Sequence, residues 1–161
     1  LDAKNILEIG FGRSTFVILK ATIENSAFFT TCDMEDFSYL LPDEEKKYFQ
    51  FYHSQSNEIW KNKIIYDFAF LDYFSSPSLS TIFCYREIKN CIRKMKRNGI
   101  IAIHDTYDNR YAIRRALSLV KLTSKIEYVS LPYNYGLGLI RIKGNKKNGT
   151  LEEKFLKKQE K

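Results

Sequence analysis

The sequence predicts an α/β fold in which helices cover both faces of a seven-stranded, mostly parallel sheet. Three observations predict it. Apolar runs of strand length alternate five times with helical patterns along the chain. The fourth and fifth of these runs are apolar almost throughout, which is typical of strands that are buried on both faces. Two last apolar runs flank a short turn, and they predict a C-terminal antiparallel β-hairpin.

The first predicted unit is a strand, a glycine turn and a helix. Residues 5–9 form a short apolar run, and Gly10 and Gly12 follow it directly. Ser14 can cap a helix over 14–23, whose residues are apolar almost all round, as in a helix packed on a sheet. Glycines in such a turn let the backbone approach a ligand closely, and the N–H groups at a helix start favour polar or anionic groups.

The next units follow the same logic. Residues 27–32 form the second predicted strand, and a polar stretch separates it from a third at 47–52. Ser56 is predicted to cap a brief helix over 56–61. The fourth strand, 65–71, is nearly all apolar or aromatic, as in a strand buried on both faces.

The second half of the chain continues the alternation. Ser76 and Pro77 are a favourable helix start, and apolar residues recur every three or four positions over 79–97. The pair Asn98-Gly99 ends this helix, and the apolar run 99–103 is the fifth strand. The remaining predicted elements are a helix over 109–122 and the hairpin strands over 126–131 and 137–142.

The composition describes one globular domain. At 161 residues, 44% of them hydrophobic, the chain is long enough for a hydrophobic core of its own. No apolar run approaches the length of a membrane span, so we expect no membrane partner. We expect the domain to cover residues 1–143, with a segment missing before it, and residues 144–161 to form a basic, mobile tail.

The net charge and the cysteines say less about partners. Of the net charge of +7, +4 lies at or after Lys143, which indicates a solvated tail rather than a nucleic-acid surface. Nucleic acid is therefore a disfavoured partner, without being excluded. The three cysteines, Cys32, Cys84 and Cys91, have no metal-binding spacing and predict reduced core thiols in a cytoplasmic protein.

An acidic residue follows the glycine turn at the spacing of a nucleotide site. Asp33 stands 23 positions after Gly10, at the end of the second predicted strand. A carboxylate at that place accepts hydrogen bonds from the two hydroxyls of a ribose. The dinucleotide pattern has a third glycine where this chain has Thr15, which argues against NAD. An ordinary strand–turn–helix without a ligand is the alternative.

The form Glu8-x-Gly10-x-Gly12 resembles motif I of the class I S-adenosylmethionine-dependent methyltransferases, whose Rossmann-like fold has the order of elements predicted here. The resemblance implies a glycine loop around S-adenosylmethionine, a carboxylate on its ribose and an acidic-Met pair with a Ser-Gln pair beside its adenine. The cofactor-binding residues that it implies are Glu8, Gly10, Gly12, Ser14, Asp33, Met34, Ser54, Gln55 and Asp72.

Polar side chains also follow the fourth and fifth predicted strands. Asp72-Tyr73-Phe74 and His104-Asp105-Thr106 resemble the small-molecule O-methyltransferases, a bacterial group with a strand-five His-Asp-Thr above all and catechol O-methyltransferase more distantly. The resemblance implies that Asp72, Asp105 and Thr106 hold a divalent metal such as Mg²⁺. A hard cation lowers the pKa of a bound hydroxyl and fixes it for methyl transfer. The alternative is that the two aspartates cap a loop and the following helix.

This chain differs from catechol O-methyltransferase at the position of the general base. The lysine that serves catechol O-methyltransferase would fall near Ser75, where this chain has none. His104 is then the best remaining base, because the pKa of histidine lies near neutrality. Its alternative role is a bond to a neighbouring carboxylate or to the backbone. His104 and Asp105 are therefore the candidate catalytic residues.

These observations together predict an S-adenosylmethionine-dependent methyltransferase that acts on an oxygen of a small molecule or sugar, with Mg²⁺ as a second cofactor. A homodimer is compatible with this interpretation. One alternative is a degenerate methyltransferase fold that binds without activity, and another is an RNA methyltransferase that uses the basic tail. An NAD-dependent oxidoreductase fits less well.

Overall fold

The structure, a computed structural model, describes residues 3–72, 80–107, 112–132 and 135–143. Seven strands form one sheet: β1 (Asn5–Ile9), β2 (Phe28–Asp33), β3 (Phe49–His53), β4 (Tyr66–Leu71), β5 (Met95–His104), β6 (Ile126–Leu131) and β7 (Leu137–Ile142). Their order across the sheet is β3-β2-β1-β4-β5-β7-β6. The first five strands are parallel, and β7 lies antiparallel between β5 and β6. The predicted fold class is confirmed, including the closing hairpin.

Four helices lie on the two faces of this sheet: α1 (Arg13–Glu24), α2 (Ser56–Lys61), α3 (Thr81–Arg93) and α4 (Ile113–Thr123). On one face, Leu19 of α1 is buried with Ile6 and Phe29. On the other face, α2, α3 and α4 contribute buried apolar side chains that pack on alternate residues of the central strands. The strand order reverses beside β1, whose neighbours are β2 and β4, and ligands of such sheets bind at this point, beyond the carboxyl ends of the strands.

The third predicted helix is shorter than the sequence pattern indicates. It begins at Thr81, because the Ser80 hydroxyl accepts a hydrogen bond from the backbone N–H of Phe83 and caps the first turn. It ends at Arg93 instead of continuing to residue 97. Met95 has helical spacing but belongs to β5, where it pairs with Tyr66 of β4.

The start of the third strand also differs from the prediction, for a local reason. It begins at Phe49 because Asp43–Tyr48 forms a 3₁₀ helix. The fourth helix is described over Ile113–Thr123, and its predicted start at residue 109 lies outside the described residues. A second short 3₁₀ helix, Ser38–Leu40, lies in the same connection as the first.

One predicted detail of the helices was wrong. Helix α1 packs on the sheet as expected, and its apolar residues also extend to the surface, where Val17 is 70% exposed. Ser56 does not cap α2: Gln55 occupies the cap position, and the Ser56 hydroxyl donates instead to the carboxylate of Glu87 on α3.

The structure also bears on the cysteines, on membrane-spanning helices and on the predicted tail. The three cysteines are buried free thiols, and burial raises the pKa of the Cys32 thiol to about 12 and that of the Cys84 thiol to about 11. Within the described ranges, no helix has the length and apolar character needed to cross a membrane. The helix start predicted at Ser76-Pro77, the residues Tyr73, Phe74 and Ser75, and the tail 144–161 lie outside the described residues.

Candidate functional site

The glycine turn after β1 has the backbone geometry that the sequence predicts. Gly10 has φ of 95°, a left-handed conformation that glycine adopts without steric cost. Its N–H donates to the carbonyl of Cys32 on β2, over 3.0 Å. On the other side, the N–H of Asp72 donates to the carbonyl of Ile9, over 2.9 Å. The turn is therefore fastened to both neighbouring strands at the carboxyl edge of the sheet.

The carboxylate of Glu8 lies beneath this turn and is fully buried. It accepts hydrogen bonds from the hydroxyls of Thr15 at 2.6 Å, Ser14 at 2.7 Å and Thr31 at 3.1 Å. Burial raises the pKa of Glu8 to about 7, although these hydroxyl donors lower it in part. Glu8 and Ser14 thus shape the turn by bonding to each other.

Asp33 lies beside the turn, as predicted from its spacing. It is the last residue of β2, and its Oδ2 accepts a 2.8 Å hydrogen bond from the backbone N–H of Phe11. Its Oδ1 accepts from the N–H of Glu35, over 3.0 Å. Each carboxylate oxygen keeps further acceptor capacity, since an ionised carboxylate offers about four lone-pair sites. The two hydrogen bonds fix the orientation of the carboxylate and therefore of its remaining lone pairs.

The residues predicted beside an adenine lie around the same strand end. Met34 follows Asp33 directly and is 69% exposed. The N–H of Ser54, after β3, donates to the Asp33 carbonyl over 2.9 Å, and the exposed Gln55 follows it. The carbonyl of Met34 lies 3.1 Å from Nε2 of His53. An exposed apolar side chain and two polar residues are thus brought to one edge.

The space beside Gly12 is open. A Cβ added there would meet only the Ser14 Oγ, at 4.0 Å. The φ of Gly12 is −167°, an extended conformation that any residue adopts, so the backbone alone does not require glycine. Room for an approaching ligand is therefore present where the resemblance implies one.

A second group of polar side chains meets at the ends of β4 and β5. The Nδ1 of His104 lies 3.0 Å from Oδ1 of Asp72 and 3.1 Å from Oδ1 of Asp105. One ligand atom from each of these three residues lies within 4.8 Å of the others. We call this group the Asp72–His104–Asp105 cluster. Two carboxylate oxygens and an imidazole nitrogen are a donor set that fits a divalent metal ion.

The segment after β5 is held by the loop before β7. Asp105 has φ of 60°, and the N–H groups of the next two residues, Thr106 and Tyr107, donate to the carbonyls of Gly136 and Tyr135. The buried Thr106 hydroxyl lies against Gly136 and has no hydrogen-bond partner among the described residues. Its service as a metal ligand stays a prediction.

The structure decides between some of the predicted roles. Asp105 is not the cap residue of α4 as described, which begins at Ile113 with Ala112 in the cap position. His104 does bond to neighbouring carboxylates through Nδ1, which was the alternative to its role as a base. The segment after Asp72 lies outside the described residues.

Sequence reasoning missed two contributors to the site. Phe11 acts through its backbone N–H, so its side chain gave no indication. Thr31 supplies a hydroxyl to Glu8 from the middle of β2, where threonine is an ordinary strand residue.

No protein-family model matches this sequence, and no curated protein matches it significantly. Solved structures do match the fold. A methyltransferase from Podospora anserina, PaMTH1 bound to S-adenosylhomocysteine (SAH), has a TM-score of 0.71 and 17% identity, over 88% of this chain and 73% of that one. An O-methyltransferase family protein from Burkholderia thailandensis has a TM-score of 0.66 and 10% identity, over 90% and 52%.

A third structure shows how wide the similarity is. The N-methyltransferase NodS from Bradyrhizobium japonicum has a TM-score of 0.57 and 13% identity, over 86% of this chain and 84% of that one. Identities this low establish architecture alone, and the same architecture here serves proteins named for transfer to oxygen and to nitrogen. The chain has the fold of the class I S-adenosylmethionine-dependent methyltransferases.

Proposed function

We propose that the chain is an S-adenosylmethionine-dependent methyltransferase that methylates an oxygen of a small molecule or sugar with the help of a divalent metal. The observation that carries this proposal is the 2.8 Å hydrogen bond from the Phe11 N–H to the Asp33 carboxylate. It joins the glycine turn to the acidic strand end, and these are the two parts that a nucleoside with an anionic or zwitterionic extension requires.

The residues of the turn fit the bound nucleoside in distinct ways. Asp33 would accept hydrogen bonds from the ribose hydroxyls, and the exposed Met34 side chain would pack on the adenine. Ser54 and Gln55 would border the adenine from the end of β3. Gly10 and Gly12 leave the backbone bare toward the amino-acid end, where the open space beside Gly12 supports the assignment. S-adenosylmethionine supplies the electrophilic methyl group when it is bound.

The proposal of an oxygen acceptor rests on the Asp72–His104–Asp105 cluster. Its three side chains are 15–31% exposed, so the cluster is open to a ligand and still partly shielded from water. Asp72 and Asp105 would hold a divalent ion, with Thr106 as a further candidate, and a bound ion lowers the pKa of an acceptor hydroxyl. Transfer to an amine nitrogen needs no such acidification, which is why the cluster favours oxygen.

His104 has one role for each of its neutral tautomers. With the proton on Nδ1, the ring donates to the carboxylates of Asp72 and Asp105, and Nε2 can accept a proton from the acceptor hydroxyl. With the proton on Nε2, the Nδ1 lone pair faces the space between the two carboxylates. In the first tautomer His104 would act as the base, with Asp105 orienting its ring over a 3.1 Å contact.

Each of the two alternatives to this proposal makes a specific prediction. A degenerate fold would bind SAH without turnover, or would not bind it at all. An RNA methyltransferase would bind RNA with an affinity that falls steeply with salt, because its contacts would be made by lysines to phosphates. The three buried free thiols support the proposal of a cytoplasmic protein.

The experiment that tests the proposal is a calorimetric titration of SAH into the folded protein. We expect micromolar binding, and we expect Asp33→Ala to weaken it by about 100-fold, because two hydrogen bonds to a charged acceptor are lost. Glu35→Ala is the matched control, since its exposed carboxylate lies two residues away and its backbone N–H is unchanged. Absence of SAH binding by folded protein would overturn the proposal.

Turnover is measured separately, as SAH release with catechols, phenols and sugars as acceptors, with and without Mg²⁺. Methylation of a hydroxyl that depends on a divalent ion supports the oxygen assignment. Turnover with amines alone contradicts it and leaves the S-adenosylmethionine site standing.

A further inference from the structure

We infer that the Asp72–His104–Asp105 cluster selects a divalent transition-metal ion over Mg²⁺, with Nδ1 of His104 as a direct ligand. The inference rests on the proposed function in that it assumes an ion at this cluster. It goes further by assigning the class of ion and by giving His104 a place in its coordination shell.

The first support is the position of the imidazole nitrogen between the two carboxylates. Ligand atoms about 2.1 Å from an octahedral ion and adjacent in its shell lie about 3.0 Å apart. The Nδ1 of His104 lies 3.0 Å from the Asp72 oxygen and 3.1 Å from the Asp105 oxygen, so the nitrogen could be adjacent to each carboxylate oxygen around one ion. The three residues lie at the ends of two neighbouring parallel strands, β4 and β5, whose pairing sets this spacing.

The second support is the chemistry of the donors. Mg²⁺ binds oxygen ligands and gives up its water reluctantly, whereas imidazole nitrogen suits Fe²⁺, Ni²⁺, Cu²⁺ and Zn²⁺, and Co²⁺ lies between Fe²⁺ and Ni²⁺ in the order of affinities. A cluster with one nitrogen and two carboxylate oxygens therefore adds more to the binding of a transition ion than to the binding of Mg²⁺. Among the described residues, no other group of three or more His, Cys, Asp or Glu side chains lies close enough to hold an ion.

The assignment settles the tautomer of His104. A nitrogen that binds a metal uses its lone pair, so the proton of the neutral ring moves to Nε2. In that tautomer His104 is a hydrogen-bond donor at Nε2 and does not accept a proton from the methyl acceptor. A bound ion would lower the pKa of the acceptor hydroxyl, and the proton would pass to water instead of to His104.

The test compares Co²⁺ and Mg²⁺ binding to the wild-type protein and to His104→Ala. Co²⁺ is followed by its visible absorption and by calorimetry, and Mg²⁺ by competition against Co²⁺. We expect His104→Ala to weaken Co²⁺ binding by at least about tenfold and Mg²⁺ binding by about threefold or less. The ratio of the two affinities therefore falls, which the general preference of proteins for Co²⁺ over Mg²⁺ does not predict.

His53→Ala is the matched control, because the chain has two histidines and His53 lies at the end of β3. We expect it to leave the Co²⁺ spectrum and both affinities unchanged. A ratio that is the same in wild type and His104→Ala overturns the inference, and so does a Co²⁺ spectrum lost in His53→Ala alone.

A titration of SAH into the same samples separates this inference from the proposed function. SAH binding without the His104-dependent Co²⁺ signal overturns the inference and leaves the cofactor assignment intact. The Co²⁺ signal without SAH binding supports the ion site and overturns the methyltransferase proposal.

Discussion

The hydroxyl of Thr15 donates a 2.6 Å hydrogen bond to the buried carboxylate of Glu8, and this bond fastens the first turn of α1 to β1. The same hydroxyl accepts a 2.9 Å hydrogen bond from the N–H of Gly12. Thr15 occupies the position of the third glycine in dinucleotide sites, and its hydroxyl links the Gly12 backbone to Glu8 there. The fully buried carboxylate of Glu8 therefore helps to set the shape of the glycine turn.

Glu8 makes the stability of the fold depend on pH. Burial raises its pKa from 4.5 to about 7 in the folded chain, so the folded state holds this proton more tightly than the unfolded state. The stabilisation is fully present below about pH 4.5 and is lost as the pH rises through about 7. Glu8→Gln should remove about 3 kcal/mol of this decline.

The measurement is the free energy of unfolding in urea at pH 5 and at pH 8. We expect the wild type to lose stability between the two values and Glu8→Gln to lose much less. Glu44→Gln, at an exposed position, is the control and should follow the wild type. Equal slopes in wild type and Glu8→Gln would show that Glu8 is already ionised at pH 5.

Glu87 should be needed for the environment of Trp60. Its carboxylate is buried and accepts from the Ser56 hydroxyl and from the indole Nε1 of Trp60, at 3.1 Å. Glu87→Ala leaves both donors without this acceptor and should destabilise the fold by about 1–3 kcal/mol. Because Trp60 is the single tryptophan of the chain, its fluorescence should shift to longer wavelength in the native state.

Glu87→Gln tests the same contact with less disturbance, since an amide oxygen can still accept from the indole. It should restore most of the stability and of the emission wavelength. Glu58→Gln, an exposed change on α2, should alter stability by less than about 0.5 kcal/mol. An unchanged spectrum in Glu87→Ala would contradict the predicted contact.

Gly136 is a position where an alanine should not be accommodated. Its φ is +97°, and a Cβ there would lie 2.3 Å from the Tyr107 ring and 2.6 Å from the Tyr107 backbone nitrogen. The φ alone costs about 1–3 kcal/mol, and the contact with the backbone adds to it. We expect Gly136→Ala to lower the Tm clearly in a thermal unfolding experiment. A Tm equal to that of the wild type would mean that the loop before β7 is placed differently.

Gly12→Ala should leave the Tm nearly unchanged and lower the affinity for SAH. The extended backbone and the open space beside Gly12 accept a methyl group, so the Tm should stay within a few degrees of the wild type. The same methyl group would occupy the space proposed for S-adenosylmethionine. SAH affinity, measured by calorimetry, should therefore fall although the fold is intact. Retained affinity would place the ligand away from this turn.

The sheet could be predicted from the sequence because its strands are buried on both faces. Runs such as 99–103 have no polar residue to interrupt them, and their partners are fixed by the alternation with helices. The start of β5 could not be predicted in this way. Lys96 is a polar residue near the start of β5, and its ammonium pairs there with Asp67, over 2.8 Å. This partner is 29 positions away in the chain, so the local sequence gives no indication of it.

The location of the candidate site could be predicted from the polar residues that follow the predicted strands. Asp33, Asp72, His104 and Asp105 each follow an apolar run, and parallel strands bring such ends to one edge. The contacts between them were not predictable, because the closeness of His104 to both aspartates depends on the register of β4 against β5. The Phe11 contact depends on a backbone group, which every residue type carries.

The position of β7 has a consequence for the order in which the protein is assembled. Every strand that contributes to the glycine turn and to Asp33 is complete by residue 71, so this half of the sheet can form while the chain is still being synthesised. The segment carrying Asp105, by contrast, is held by carbonyls of residues 135 and 136. Nearly the whole domain must therefore leave the ribosome before the half that carries the Asp72–His104–Asp105 cluster can close, and truncation after residue 131 should leave that half incomplete.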